Sequence, residues 1–516
     1  MPTSATGPVA EAPAGSFRGR IENGARRWLG IRYAQAPVGD LRWRAPLPAA
    51  DLAGTIDAVS FGPACPQPPS PLPLGDGIAQ DEDCLFLNVW TPDADTPAPR
   101  PVMVWLHGGA YVFGAASQRT YDGARLATAG DVVVITLNYR LGAFGFLDLD
   151  AALPDAGFDG NLGLRDVLLA LAWVQRNIAA FGGDPERVTV FGESAGAGLV
   201  TTLLATPSAS GLLHRAIAES SPASSVYGRE RAGRVAARFL SFLGIGPDAP
   251  DAAASLRAHD AATLAEAGQR LFADVPEEDP GTLAFSPDID GDLVPEAPIT
   301  VLSEGRALPV PLLIGTNKDE ASLFAYMKSP LIPVTGERLE RMFADIAAES
   351  PEVALPDRAQ VLAAYERLRH RALGLGIAGD IGFRLPTLWL AEGHSAVAPV
   401  HLYRFDYSTP FLRLLRLGAT HGSEVVYVWG NLDGGSKDMT FRLGGRRTGE
   451  ELSRRMQERW SAFAHGGEPA ASGAADWPRF TRDSRATLVI DRHDQVVDDL
   501  DADLRRAWGD EVLTFR

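Results

Sequence analysis

Residues 188–198 read VTVFGESAGAG, and no other stretch restricts the fold as much. A run of β-branched and aromatic side chains stops at Gly192, and an alanine- and leucine-rich segment suited to a helix opens at Ala195. A chain passing from strand to helix within two residues must turn sharply, and small residues on either side spare it a collision at the corner. Ser194 stands at that corner. In the pattern G-x-S-x-G such a turn holds a serine hydroxyl above the edge of a parallel sheet. The bare pattern also fits an ordinary tight connection. With a strand before it and a helical segment after it, chemistry is the better reading.

The rest of the chain repeats the same alternation. LFLNVW (85–90), PVMVWLHG (101–108) and DVVVITLNYR (131–140) read as buried strands, short apolar runs bounded by turn signals. Residues 164–180 carry leucines, alanines and Trp173 at helical spacing, RVTVFG (187–192) is again a strand, and VPLLIG (310–315) and VHLYRFD (400–406) are two more. This order predicts an α/β fold with a large, mostly parallel central sheet flanked by helices. Residues 1–14 are expected to be a disordered lead, and short turn-rich segments from 15 to about 60 a small antiparallel meander. PQPPSPLPLGDG (66–77) can be neither helix nor central strand. Helical insertions are expected at about 228–280 and 336–375, an amphipathic helix at 450–465, and a last strand at 486–490. With no repeat and no convincing linker, residues 15–516 read as one catalytic domain.

A net charge of −17 argues against nucleic acid or an anionic membrane as partner. The first fifteen residues lack the basic start and apolar core of a secretory signal, and no run of 18 apolar residues occurs, so a cytoplasmic chain without a membrane span is expected. A monomer is the simplest expectation.

A serine nucleophile needs a base, and the base an orienting acid; on sheets with this turn they follow in the order serine, acid, histidine. Of the downstream histidines, His401 lies in a strand pattern, His259 and His370 in charged helical stretches, and His465 at a surface helix end. His421, in GATHGSEVVYVWG, follows a glycine-containing loop and is the best candidate. For the acid, a strand ending at Gly315 is followed by Asp319 and Glu320, and position alone does not choose between them. VWLHGGAYVFG (104–114) ends a strand in His-Gly-Gly-Ala, a turn whose backbone N–H groups can face a developing oxyanion.

Together these segments resemble the type-B carboxylesterase family, which includes cholinesterases and bacterial para-nitrobenzyl esterases. FGGDPERVTVFGESAG (181–196) and EDCLFLNVW (82–90) resemble its two signatures, and NYRLGAFGF (138–146), NLGLRD (161–166), GTNKDE (315–320) and THGSE (420–424) follow in its order. The resemblance implies an α/β-hydrolase fold and a serine carboxylesterase with the triad Ser194, Glu320 and His421. It implies oxyanion donors at Gly109, Ala110 and Ala195, and supporting roles around the histidine for Glu193, Ser220 and Glu424. Ion pairs of Arg42 with Glu82 and of Arg140 with Asp166 are implied, as is a disulfide between Cys65 and Cys84. For Glu193 and Glu424, a carboxylate favoured at a helix start is the alternative. Ala321 stands where the family usually has glycine, and the proline-rich loop lacks the aromatics that a quaternary ammonium requires, so the para-nitrobenzyl type is the closer likeness.

The implied reaction is two-step acyl transfer on a small-molecule ester, with no metal and no organic cofactor. Tyr111, Phe113 and Phe324 are candidate pocket aromatics from their adjacency to the motifs. The same site could cleave a carbamate or amide, and a non-catalytic binding protein is the rival from another class.

Overall fold

The computed structural model describes residues 7–69, 73–96, 98–333, 335–349, 361, 365, 370–433, 439–509 and 511–513. The chain begins with β1 (Val9–Ala12), β2 (Gly15–Arg18), β3 (Arg20–Glu22), β4 (Ala25–Arg32) and β5 (Thr55–Asp57). Then come β6 (Phe86–Pro92), β7 (Arg100–Leu106), β8 (Val133–Leu137), β9 (Gly183–Glu193) and β10 (Arg215–Glu219). After β11 (Tyr227–Gly228) and β12 (Asp288–Ile289) follow β13 (Leu312–Asn317), β14 (Val400–Phe405), β15 (Thr487–Ile490) and β16 (Gln495–Val497). Eleven of them form one sheet in the order β16-β15-β14-β13-β10-β9-β7-β8-β6-β4-β3. The ladders from β15 through to β8 are parallel, and those at both ends are antiparallel. The large, mostly parallel sheet read from the sequence is the observed one.

Alternate residues of the central strands feed two cores, as the period of two in a strand requires. Val188, Val190, Ala216, Ala218, Leu312 and Ile314 pack on one face with the helices Leu162–Asn177 and Ala195–Leu204. Phe191, Ile217, Leu313 and Tyr403 face the other way, against Trp429 and the helix Arg446–Gly466. Both faces are covered, which explains why the central strands read as continuous apolar runs rather than alternating ones.

Several expectations need correction. Residues 9–12 are not a disordered lead: β1 pairs with β2, Ala10 is buried, and the Ala14 N–H donates to Asn177 Oδ1 at 2.9 Å. Nor is 486–490 the last strand, since β16 turns back antiparallel to β15. Helices fill 229–242, 252–258 and 261–278; the second expected insertion opens with the helix Gly336–Glu349 and closes in His370–Gly379, and most of the residues between these two helices lie outside the described ones. Cys65 and Cys84, the pair for which a disulfide is implied, are both buried and stand as free thiols in the structure. The neighbouring Cys65 thiol and then burial push the Cys84 thiol well up.

Both implied ion pairs are present. Arg42 grips Glu82 through Nε at 2.6 Å and through Nη2. Arg140 donates from Nε and Nη2 to the two oxygens of Asp166 at 2.8 and 2.7 Å, with both side chains buried. Among the described residues no helix is long and apolar enough to cross a membrane.

Candidate active site

The β9 strand ends at Glu193, and Ser194 takes φ 56° and ψ −124°, a conformation that side chains rarely adopt and that a site can hold only when its surroundings fix it. Those surroundings are visible. The Ser194 N–H donates to the Glu219 carbonyl at 2.9 Å, and its carbonyl accepts from Gly198 N–H at 2.8 Å. A Cβ on Gly196 would stand 2.0 Å from the Leu106 carbonyl oxygen, so the helix start can press against β7 only with glycine there.

His421 sits in the loop after β14, just ahead of the short helix Val425–Trp429. Its Nδ1 lies 2.7 Å from Glu320 Oε2, and the other oxygen of Glu320 accepts from the Ser220 hydroxyl and the Asn317 N–H, both at 2.6 Å. Both oxygens of Glu320 are thus engaged, one by the ring and the other by Ser220 and Asn317. Asp319 faces away and accepts instead from the Ala419 N–H at 3.0 Å, tying down the loop that carries the histidine. The structure thus places Glu320, and not Asp319, on the imidazole. On the far side Glu193 Oε1 is 3.2 Å from Nε2, close enough for ion pairing but without hydrogen-bond alignment, since Nε2 has no hydrogen-bond partner. Nε2 is therefore not bonded to the Ser194 hydroxyl here, a contact that such sites commonly tighten only around substrate.

Burial alone would pull the imidazole down, but Glu193 and Glu320 outweigh it and hold His421 above its ordinary value. Burial pushes Glu193 up to about 7 although His421 opposes it. Burial and then Glu193 push Glu424 well above the carboxylate range, while Asn317 Nδ2 donates to its Oε2. Glu424 occupies the N-cap position of its helix, where the dipole favours the ionised form and so opposes that rise.

Backbone conformation at the His-Gly-Gly-Ala turn is equally unusual. Gly109, Ala110 and Tyr111 have φ values of 114°, 51° and 61°. This run turns Ala110 toward the cavity that Ser194 and Ala195 also line. Ala195 is the first residue of its helix, where N–H groups have no acceptor within the helix. The cavity encloses about 680 Å³, open mouth included, and none of its lining side chains is charged. Tyr111 and Phe324 line it; Phe113 does not, because it packs edge-on against Phe272 at 5.2 Å.

The motifs gave no sign of Phe383. It reaches the cavity from a five-residue π-turn, Asp380–Arg384, and its ring lies 4.6 Å from that of His421, with Phe324 at 5.1 Å. Such turns insert one extra residue and re-aim side chains, and nothing in local composition marks them. Trp460 was also missed. Its indole N–H donates to Glu219 Oε1 at 2.7 Å directly behind the serine turn.

Residues 6–508 match the carboxylesterase family. The chain is similar to the para-nitrobenzyl esterase of Bacillus subtilis, with 38% identity over 95% of this chain and 96% of the relative. It is also similar to a phenmedipham hydrolase of Pseudarthrobacter oxydans, with 32% identity over 96% and 97%. Among solved structures, a PNB esterase superimposes with a TM-score of 0.83 and 37% identity, covering 98% of this chain and all of that one. The fold is the α/β-hydrolase fold.

Proposed function

The chain belongs to the carboxylesterase family and is a carboxylic ester hydrolase, and from that premise we propose that Ser194, His421 and Glu320 carry the reaction. The observation that supports this reading best is the 2.7 Å contact of His421 Nδ1 with a carboxylate whose other oxygen is fully committed. That contact fixes the tautomer with the proton on Nδ1 and leaves Nε2 free to accept one. As Ser194 attacks the ester carbonyl, Nε2 takes the hydroxyl proton. The N–H groups of Gly109, Ala110 and Ala195 receive the oxyanion. The imidazolium then gives its proton to the leaving alcohol, and water repeats the cycle to release the acid.

The cavity wall bears on the substrate. With Leu331, Ile332 and Phe383 on its surface and no charge to pair an ionic group, it suits an uncharged ester with an apolar acyl or alcohol part. A carbamate or amide is not favoured, since the family and its Bacillus subtilis relative are named for esters. The test is a pre-steady-state measurement with a chromogenic ester. One equivalent of alcohol should appear in a burst before steady turnover, and Ser194→Ala should abolish it; a burst surviving in the variant would refute the assignment.

A further inference from the structure

The packed interior behind the serine turn holds a carboxylate to which the reaction above gives no part. Glu219 closes β10 and is fully buried. In the parallel register it lies directly across from Glu193. Phe191 and Ile217, two residues back on each strand, both face the core that contains Trp460. The strand period therefore puts the Glu193 and Glu219 side chains next to each other on that same face. Glu219 is tied to the chemistry from both ends. Its carbonyl accepts from the Ser194 N–H, and its carboxyl Oε1 accepts from the Trp460 indole N–H. Its other oxygen, Oε2, is buried and has no partner.

The groups facing it are nearly all acids or neutral. Glu193 belongs to β9, Glu424 starts the helix Val425–Trp429, Tyr403 comes from β14, Tyr121 from the turn Arg119–Tyr121, and Trp460 from Arg446–Gly466. None of them is an arginine or lysine. Two carboxylates side by side in such an interior do not both ionise near neutrality.

We propose that Glu219 is a positioning residue for the base: a protonated, neutral acid, clamped by the Trp460 indole, whose neutrality leaves Glu193 alone of these two acids to carry negative charge on the Nε2 side of His421. The proposal rests on His421 being the base. The unpartnered Oε2 is where the proton sits. Burial accounts for it, pushing Glu219 up to about 8 against the pull of the indole bond, with Glu193 adding to the rise. The two acids titrate as a pair, and Glu219 gives up its proton in the later step. When that happens, a second negative charge enters behind His421. The imidazolium is then held more tightly and returns its proton to the leaving group less readily.

Two readouts test this on the full-length protein. Isotopic labelling of tryptophan gives an indole N–H resonance for Trp460, assigned by its loss in Trp460→Phe. In the wild-type protein it should shift with a midpoint near pH 8, and in Glu219→Gln it should not titrate. Ester hydrolysis by Glu219→Gln should stay within about threefold of wild type at pH 7 while the inflection near pH 8 in kcat/KM disappears. An indole midpoint between about pH 4 and 5 would show Glu219 already ionised and would overturn the proposal. So would a Glu219→Gln profile superimposable on wild type, or a loss of about a hundredfold at pH 7 in a folded variant. If the glutamine variant does not fold, the wild-type indole titration still decides. Failure of the base reading is distinguishable, because it would show as activity retained in Ser194→Ala or His421→Ala whatever the indole reports.

Discussion

Among single residues, the acid that touches each imidazole nitrogen decides what His421 can do. Both Asp319 and Glu320 fit the sequence position, but only Glu320 reaches His421, while Asp319 spends its oxygen on the Ala419 N–H. Glu320→Gln should therefore lower kcat by about a thousandfold or more, and Asp319→Asn by no more than about tenfold; steady-state kinetics showing equal losses would reassign the acid. The neighbouring carboxylates also set the pH response. His421 is held above its usual 6.5, and a base works only when neutral. Activity should fall as pH drops through a value above 6.5, not below it. A kcat/KM profile flat down to pH 5 would contradict that. The candidate residues themselves were legible because serine, histidine and oxyanion turn each carry a local pattern of glycines. Glu219 was not, since a glutamate closing a strand in RAIAES has no mark beyond its parity with Ile217.

At the scale of elements, the serine turn is a crossing of backbones. β9, β7 and the helix Ala195–Leu204 meet where Gly192 and Gly196 stand, and a Cβ at either would lie within 2.7 Å of the Leu106 carbonyl oxygen. Gly196→Ala must push the helix away from β7. It should cost upward of about 2 kcal/mol by denaturant titration and remove activity more completely than stability, because Ser194 moves with the helix. A variant with wild-type turnover would show that the close approach does not position the serine. Here the sequence spoke plainly: apolar runs gave β6 to β9 and the helix at 162–177, since each buries a whole face. What it hid depends on partners distant in the chain. β1 pairs through an alanine-rich stretch that looks featureless alone, and β16 exists because β15 offers it an edge. The π-turn that brings Phe383 to His421 is fixed by tertiary packing, with Asp380 buried against Arg384 and Tyr365.

For the whole molecule, the same acids tie function to stability. Asp380 at about 6, Glu193 at about 7 and Glu219 at about 8 all bind protons more tightly folded than unfolded, because burial disfavours their charged forms. Starting values are 3.8 for the aspartate and 4.5 for the glutamates, so their contribution is full only below those values and is lost steadily as pH rises from there through 6 to 8. On the acid side the reverse holds for groups such as Asp499, which Arg505 keeps below 3.8 and which loses its contribution as pH falls. The melting temperature should therefore peak between about pH 4.5 and 6 and decline toward pH 8, the net charge of −17 adding self-repulsion. A melting temperature that rises steadily from pH 5 to 8 in calorimetry would refute the buried-acid account. The assignment of Ser194 as the nucleophile has a more direct test. Reaction with a fluorophosphonate, followed by peptide mass spectrometry, should place one adduct on Ser194, with activity lost in proportion. An adduct on another residue, or full inactivation with Ser194 unmodified, would contradict it.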